Sequence, residues 1–217
     1  MMKLRYGVVI FDLDGTLLDT LDDLADSVNF VLHENGFPIR TRDEIRRFVG
    51  NGVRLLVERA LPENCSDQTR EACFAQFVSH YTLHKQDKTR PYPEVLDLLA
   101  SLRARGCRIG IVSNKYDAAV KALAEDFFPG LIDVAIGESP NVQKKPAPDS
   151  VFAALRALDA DTDTAIYVGD SEVDIETARN CGIPCISVSW GFRSKDLLTS
   201  CGAEHVIDRP MELLSLL

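Results

Sequence analysis

Asp12-Leu13-Asp14 sets two carboxylates two residues apart, directly after the apolar run Tyr6–Phe11 (YGVVIF). In an extended chain, residues i and i+2 project to the same side, so both acids can face one pocket. Like charges at that spacing are tolerated if a divalent cation binds or one carboxyl keeps a proton. Both remedies suit phosphoryl transfer. Asp12 has the makings of a nucleophile toward phosphorus. Asp14 is suited to protonate a leaving alkoxide and then take a proton from water. Gly15 and Thr16 let the chain turn away at once, with Thr16 placed to fix the loop.

Three further motifs carry compatible chemistry. Ser113-Asn114 closes the run GIVSN; a hydroxyl and backbone N–H groups at a strand-to-helix turn can hold phosphate oxygens. The same pair also suits a helix N-cap. Lys144-Lys145-Pro146-Ala147-Pro148 offers a compact cation for the charge of a nucleophile and a transferring phosphate, on a segment stiffened by proline. The lysine pair alone reads rather as an exposed basic loop. Gly169-Asp170-Ser171-Glu172-Val173-Asp174 follows the run AIYV. Asp174, four residues beyond Asp170, returns to the same face as a helix begins. With Asp12, these two acids form a set of hard oxygen donors of the kind Mg²⁺ prefers. Acids at a helix start also serve the helix dipole alone.

All four motifs need strands to present them. Tyr6–Phe11, Cys107–Ser113, Leu131–Ile136, Ala165–Val168 and Cys185–Val188 are nearly continuous apolar runs, as expected of strands covered on both faces. Pro93–Arg105 and Ser150–Leu158 carry apolar residues at helical spacing. The alternation predicts an α/β fold: an open parallel sheet with right-handed crossovers. Each motif then lies at a strand's carboxyl end, where such sheets expose their sites. Between Thr16 and Thr89 only helical patterns occur, at Leu21–Glu34, Arg42–Phe48, Val53–Leu61 and Ser66–His84. A crossover does not need about seventy residues. The chain is therefore expected to divide into a core domain, 1–16 and 90–217, and an inserted helical cap domain, 17–89.

Composition narrows the partners. The chain has 217 residues, 46% hydrophobic and 26% charged, an ordinary globular balance. Its formal charge of -9 argues against nucleic acid or an anionic membrane as the main partner. No apolar run approaches the roughly 18 residues of a membrane span. Met1–Phe11 reads as a first strand rather than a signal peptide, because Asp12 and Asp14 follow at once. The six cysteines show no zinc-like spacing and are expected to be reduced thiols of a cytoplasmic protein. His80 and His84 can share a helix face, but no acidic residue follows His80 as a zinc-protease motif requires.

Together and in this order, DLDGT, VSN, KKPAP and GDSEVD resemble the haloacid dehalogenase superfamily over essentially the whole chain. The early helical insertion resembles the small cap of its subfamily I. The resemblance implies a Rossmann-like core and a magnesium-dependent phosphatase working through an aspartyl phosphate. It implies Asp12 as nucleophile, Asp14 as acid/base, and Ser113 and Lys145 as phosphate holders, with Thr16 and Asn114 also placed at the phosphate. Lys145 is preferred to Lys144 because the family lysine directly precedes proline. The implied Mg²⁺ ligands are the Asp12 carboxylate, the Asp14 backbone carbonyl and Asp170, with Asp174 a ligand or a support behind them. The second aspartate disfavours dehalogenation; a β-phosphoglucomutase-like phosphomutase is the nearer rival, followed by pyrophosphatases and nucleotidases.

Phe48–Arg54 (FVGNGVR), the opening YGVVIFDLDGTLLDTLDDL and Ser113-Asn114-Lys115 resemble phosphoglycolate phosphatases in particular. That implies a small phosphorylated metabolite as partner and gives Arg54 either a substrate carboxylate or an ordinary surface place. The enzyme is expected to be a monomer or homodimer. Glu94 departs from the pattern, which has glycine after Tyr-Pro; it either alters the hinge or simply starts a helix with a favourable acid.

Overall fold

The structure, a computed structural model, describes residues 5–217; the start of the expected opening segment, Met1–Leu4, lies outside them. In chain order the elements are β1 (Val8–Phe11), β2 (Leu18–Asp19), α1 (Leu21–Glu34), α2 (Arg42–Phe48), α3 (Val53–Ala60) and α4 (Asp67–His84). They continue with β3 (Arg90–Pro91), α5 (Val95–Ala104), β4 (Arg108–Tyr116), α6 (Asp117–Phe127), β5 (Val134–Glu138) and α7 (Asp149–Ala157). The last are β6 (Ala165–Gly169), α8 (Glu172–Cys181), β7 (Cys185–Val188), α9 (Lys195–Ser200) and β8 (His205–Ile207). The chain divides into two compact units, one running to Leu18 and resuming at Pro91–Leu217, the other Asp19–Arg90.

The first unit is built on a six-stranded sheet in the order β5-β4-β1-β6-β7-β8, every pairing parallel. This is the α/β architecture the apolar runs predict. Its central strand shows why those runs are unbroken. Val9 and Phe11 face a core made with α5, α6 and the edge of the sheet, whereas Val8 and Ile10 face a second core made with α7 and α8. Every position of a strand covered on both faces must be apolar. At about 25 cal/mol per Å² of apolar surface buried, these two layers are the main source of the unit's stability.

Several segments differ from expectation: the strand expected over Leu131–Ile136 runs Val134–Glu138 as β5, and the two-residue β2 falls in the interval expected to be helical throughout. β8 is not visible as an apolar run, because its three residues sit at the sheet edge and bury only Ile207. β4 runs on through Ser113-Asn114 to Tyr116, with a register shift against β5 between Val112 and Tyr116. Ser113 and Asn114 are therefore strand residues, and the cap of α6 is Tyr116 with no side-chain cap bond.

Glu94 is the N-cap of α5 and adopts a left-handed conformation, φ 66°. Glycine takes that conformation without the steric penalty of a Cβ. The Glu94 carboxylate ion-pairs Arg209, an exposed contact of small net worth. Glu94→Gly is expected to fold normally and raise the thermal midpoint by about 2–4 °C, as differential scanning calorimetry would read it.

The second unit is helical. α2 carries a complete capping box between Thr41 and Glu44, and Ser66 caps α4. Leu24, Val28, Val31, Ile45, Leu56, Val57, Cys73 and Phe77 are buried. The buried Asp23 carboxylate accepts the backbone N–H groups of Lys88 and Thr89, tying the segment after α4 back to α1. His80 and His84 stack on one another, their Nδ1 atoms bonded to Ser27 and Asp87.

Candidate active site

From β1 the chain adds β4 and β5 on one side of the sheet, whereas β6, β7 and β8 lie on the other. The carboxyl end of β1 is thus the point where strand order reverses, the place an open parallel sheet offers a ligand. Asp12 leaves β1 there. It keeps the parity of Val8 and Ile10, so it points to the side of Tyr167 on β6. Its backbone N–H donates to the Val168 carbonyl at 2.9 Å, which anchors it to the neighbouring strand.

Lys145 stands at the centre of a buried network. Its Nζ donates to Asp12 Oδ1 and Asp174 Oδ1, each at 2.7 Å, and to the Tyr167 hydroxyl at 3.1 Å. Only 3% of its side chain is exposed. Burial works against its charge, but Asp12 and Asp174 outweigh it and hold the ammonium well above its usual range. Lys144 instead pairs with Glu138 and remains partly exposed. Asn114 locks the lysine loop: its amide nitrogen donates to the Lys145 carbonyl, and its amide oxygen accepts the Lys145 N–H. That side chain was expected at the phosphate, yet both of its ends are engaged on the Lys145 backbone.

Asp174 is held twice over. Oδ2 accepts the Ser171 N–H and hydroxyl, and Oδ1 accepts Lys145 and the Tyr167 hydroxyl. It doubles as a helix cap for α8. Asp170 is oriented by the Thr16 hydroxyl on Oδ1 and the Phe192 N–H on Oδ2 at 2.6 Å. The Trp190 indole N–H, donating to the Thr16 carbonyl, closes the loop around it. Asp14 lies beside Ser113, whose hydroxyl is 3.5 Å from Oδ2, and is ion-paired at Oδ1 with Lys115 at 2.7 Å.

The acids share one electrostatic problem. Burial pushes the Asp12 carboxyl up to about 7; Lys145 opposes the rise, while Asp174 and Asp14 add to it. Asp170 is likewise held well above the ordinary carboxylate range by burial, then by Asp174 and Asp12. Among the described residues, Asp12, Asp170 and Asp174 are the group of acids able to offer oxygens to one ion, all within 4.8 Å of one another. Crowded, desolvated carboxylates of this kind fit a divalent cation and disfavour a site without one.

Space around Asp170 is as restricted as its bonding. A Cβ on Gly191 would come within 2.3 Å of the Asp170 Cβ and 2.4 Å of the Gly15 carbonyl oxygen. Gly15 itself has φ 93° and would bring a Cβ within 2.5 Å of the Asp170 carboxylate. Gly191→Ala is therefore expected to displace Asp170, lowering kcat at least about 100-fold and stability by about 1–3 kcal/mol. Steady-state kinetics and urea unfolding read the two effects.

The sequence-expected residues of the first unit, Asp12, Asp14, Thr16, Ser113, Asn114, Lys145, Asp170 and Asp174, all belong to this cluster or brace it. Arg54 belongs to the helical unit, where it pairs with Glu71 at 2.6 Å and lies over the Phe74 ring. Tyr167, Gly191 and Phe192 were not expected, and Lys115 and Ser171 lie within their motifs without an expected role at the site. Lys115 is legible as the residue two beyond Ser113 on an extended strand, and Ser171 as the start of an S-x-x-D cap. Gly191 and Phe192 carry no comparable signal.

The chain is similar to known proteins. The haloacid dehalogenase-like hydrolase family model matches residues 9–188. A phosphoglycolate phosphatase of Rhodospirillum rubrum is 36% identical over 210 residues, covering 92% of this chain and 86% of the relative. One from Aquifex aeolicus is 32% identical over 211 residues, covering 97% and 96%. A crystal structure from Lactobacillus delbrueckii subsp. bulgaricus, whose phosphoglycolate phosphatase designation is provisional, superposes with a TM-score of 0.93 at 34% identity over 98% of both chains. No helix among the described residues is long and apolar enough to cross a membrane. By family match, by relatives and by the acids at its sheet switch point, this chain belongs to the haloacid dehalogenase-like hydrolases and is a phosphatase among them.

Proposed function

We propose that the protein hydrolyses a small phosphomonoester of the phosphoglycolate kind through a phosphorylated Asp12, with Mg²⁺ as cofactor. The observation that carries this reading is the Lys145 ammonium, 2.7 Å from Asp12 at the switch point of the sheet. It holds the carboxylate in place and supplies positive charge where a phosphate's charge must be met. Asp12 attacks phosphorus; the new P–O bond forms as the ester P–O bond breaks. The electron pair goes to the departing alkoxide, and Asp14 gives it a proton. A water then loses a proton to Asp14 and attacks the same phosphorus. The P–O bond to Asp12 breaks, its carboxylate is restored and inorganic phosphate leaves.

Around these two acids the other residues divide the work. Ser113 receives phosphate oxygens together with Lys145. Asn114, Tyr167 and Asp174 keep Lys145 on Asp12, while Thr16, Gly191 and Phe192 keep Asp170 in place. Mg²⁺ would be held by Asp12, the Asp14 carbonyl and Asp170, with Asp174 behind them because each of its oxygens already accepts two hydrogen bonds, against one on each oxygen of Asp170. When bound, the ion neutralises phosphate charge. The helical insertion, expected at 17–89, is proposed as a cap domain that selects the substrate. Arg54 is proposed to contribute there, with a raised KM and an unchanged kcat in Arg54→Ala as its signature.

Phosphoglycolate is favoured by the relatives from Rhodospirillum rubrum and Aquifex aeolicus, both phosphoglycolate phosphatases by name. The test is phosphate release from phosphoglycolate, glucose 1-phosphate, nucleoside monophosphates and pyrophosphate, with Mg²⁺ and with chelator. A kcat/KM at least about tenfold higher for phosphoglycolate, lost with chelator and regained with Mg²⁺, is the expected result. Conversion of glucose 1-phosphate to glucose 6-phosphate without phosphate release would replace the hydrolase reading by a phosphomutase.

A further inference from the structure

The cluster contains a second buried lysine. Lys115 is 5% exposed and its Nζ lies 2.7 Å from Asp14 Oδ1. It is fixed from several directions. Its N–H donates to the Ser113 hydroxyl at 3.2 Å, linking it to the oxygen that also approaches Asp14. On its other side, β5 packs so closely that a Cβ on Gly137 would fall 2.6 Å from the Lys115 carbonyl oxygen. The Gly137 N–H meanwhile donates to Asp117, two residues along from Lys115. The register shift between Val112 and Tyr116 falls on this segment. Such irregularities re-aim side chains beside functional sites.

Stability does not explain a cation here. Burying an ion pair recovers little beyond its desolvation cost, and an apolar chain of the same length commonly does as well. Geometry offers a different reason. An acid/base carboxylate must keep one oxygen facing a reacting atom through two proton transfers, and a carboxylate at the mouth of a loop has several rotamers available. A charged hydrogen bond to Oδ1 fixes the rotamer and leaves Oδ2, which the Ser113 hydroxyl approaches at 3.5 Å, to face the reaction.

We propose that Lys115 is the positioning residue for Asp14, holding its carboxylate by Oδ1 in the orientation proton transfer needs. This rests on Asp14 being the acid/base of the proposed mechanism. Lys115 then acts on the part of the barrier that depends on protonating the leaving oxygen. Esters with poor leaving groups depend on it, whereas para-nitrophenyl phosphate, whose leaving group departs without a proton, does not.

The experiment compares Asp14→Asn, Lys115→Met and the double variant on phosphoglycolate, glycerol phosphate and para-nitrophenyl phosphate in saturating Mg²⁺. Lys115→Met is expected to lower kcat about 10–100-fold on both alkyl esters, a part of the full acid/base contribution, and less than about threefold on the aryl ester. In the Asp14→Asn background the same substitution is expected to add nothing on the alkyl esters. Lys115→Arg keeps the charge with a displaced head and gives a smaller loss of the same pattern; it carries the test if the methionine variant does not fold. Equal losses on alkyl and aryl esters would overturn the proposal, since Lys115 would then act on phosphate or on the fold. A rise in KM confined to phosphoglycolate would also overturn it, marking Lys115 as a reader of the substrate carboxylate. If Asp14→Asn itself fails to separate the two ester classes, the acid/base reading falls, and the proposal falls with it.

Discussion

Asp12→Asn is expected to lower kcat at least about 10⁴-fold on every phosphomonoester while leaving the protein folded. The amide occupies nearly the same volume but has no carboxylate to attack phosphorus, and the remaining residues supply only binding and charge. Stability should move the other way. Burial pushes the Asp12 carboxyl up to about 7 from an ordinary value of 3.8, so in the metal-free protein folding favours the protonated form. The charged form therefore weakens the fold progressively as pH rises from about 4 to about 7. Asn cannot ionise, so the variant's advantage over the parent should grow across that window. Urea midpoints in chelator at several pH values, beside kinetics in Mg²⁺, check both halves. A variant that loses activity without this widening gap would show that the carboxylate is not strained by its burial. Activity surviving in Asp12→Asn would remove the covalent mechanism.

The second large effect is expected from Lys145→Met. The ammonium serves Asp12 and Asp174 at once, so its removal reaches both chemistry and fold. Losing a fixed donor at the reacting centre should lower kcat by about 10²–10³. Leaving two buried carboxylates without their cation should destabilise the fold by about 3–5 kcal/mol. Methionine matches the stem in length, so packing alone does not account for a loss of that size. The double variant Asp12→Asn/Lys145→Met provides the control. With one of the two charges already gone, the added destabilisation by methionine should shrink by about 1–3 kcal/mol, the coupling of neighbours in one network. Additive losses would mean that Asp174 alone accounts for the electrostatic role of Lys145.

Much of the fold was legible because the patterns that carry it are local. Unbroken apolar strands such as Val8–Phe11 announce a sheet covered on both faces, and the three-to-four spacing of the helical insertion marks α1 and α2 at Leu21–Glu34 and Arg42–Phe48. What failed locally was weak in the same terms. β8 offers only one buried residue at an edge. β4 passes through two good N-cap residues because its pairing with β5 outlasts their capping preference.

For the site, residue types and their spacing pointed to Asp12, Asp14, Ser113, the Lys144-Lys145 pair, Asp170 and Asp174, since carboxylates, hydroxyl and lysine at successive strand ends have few other uses in common; the family resemblance chose Lys145 of the two lysines. Types and spacing could not say how these side chains bond to one another, because those bonds cross up to 133 positions of sequence. Only the folded chain turned the Asn114 amide onto the Lys145 backbone, engaged both oxygens of Asp174, and brought Lys115 onto Asp14. Only it pressed Gly191 against Asp170, where no left-handed turn but sheer lack of room requires glycine. The sequence by itself determined which atoms are available for chemistry, because that is a property of residue type. The tertiary structure decided which of them meet and bond to one another, because distance and burial arise only when separate strand ends come together.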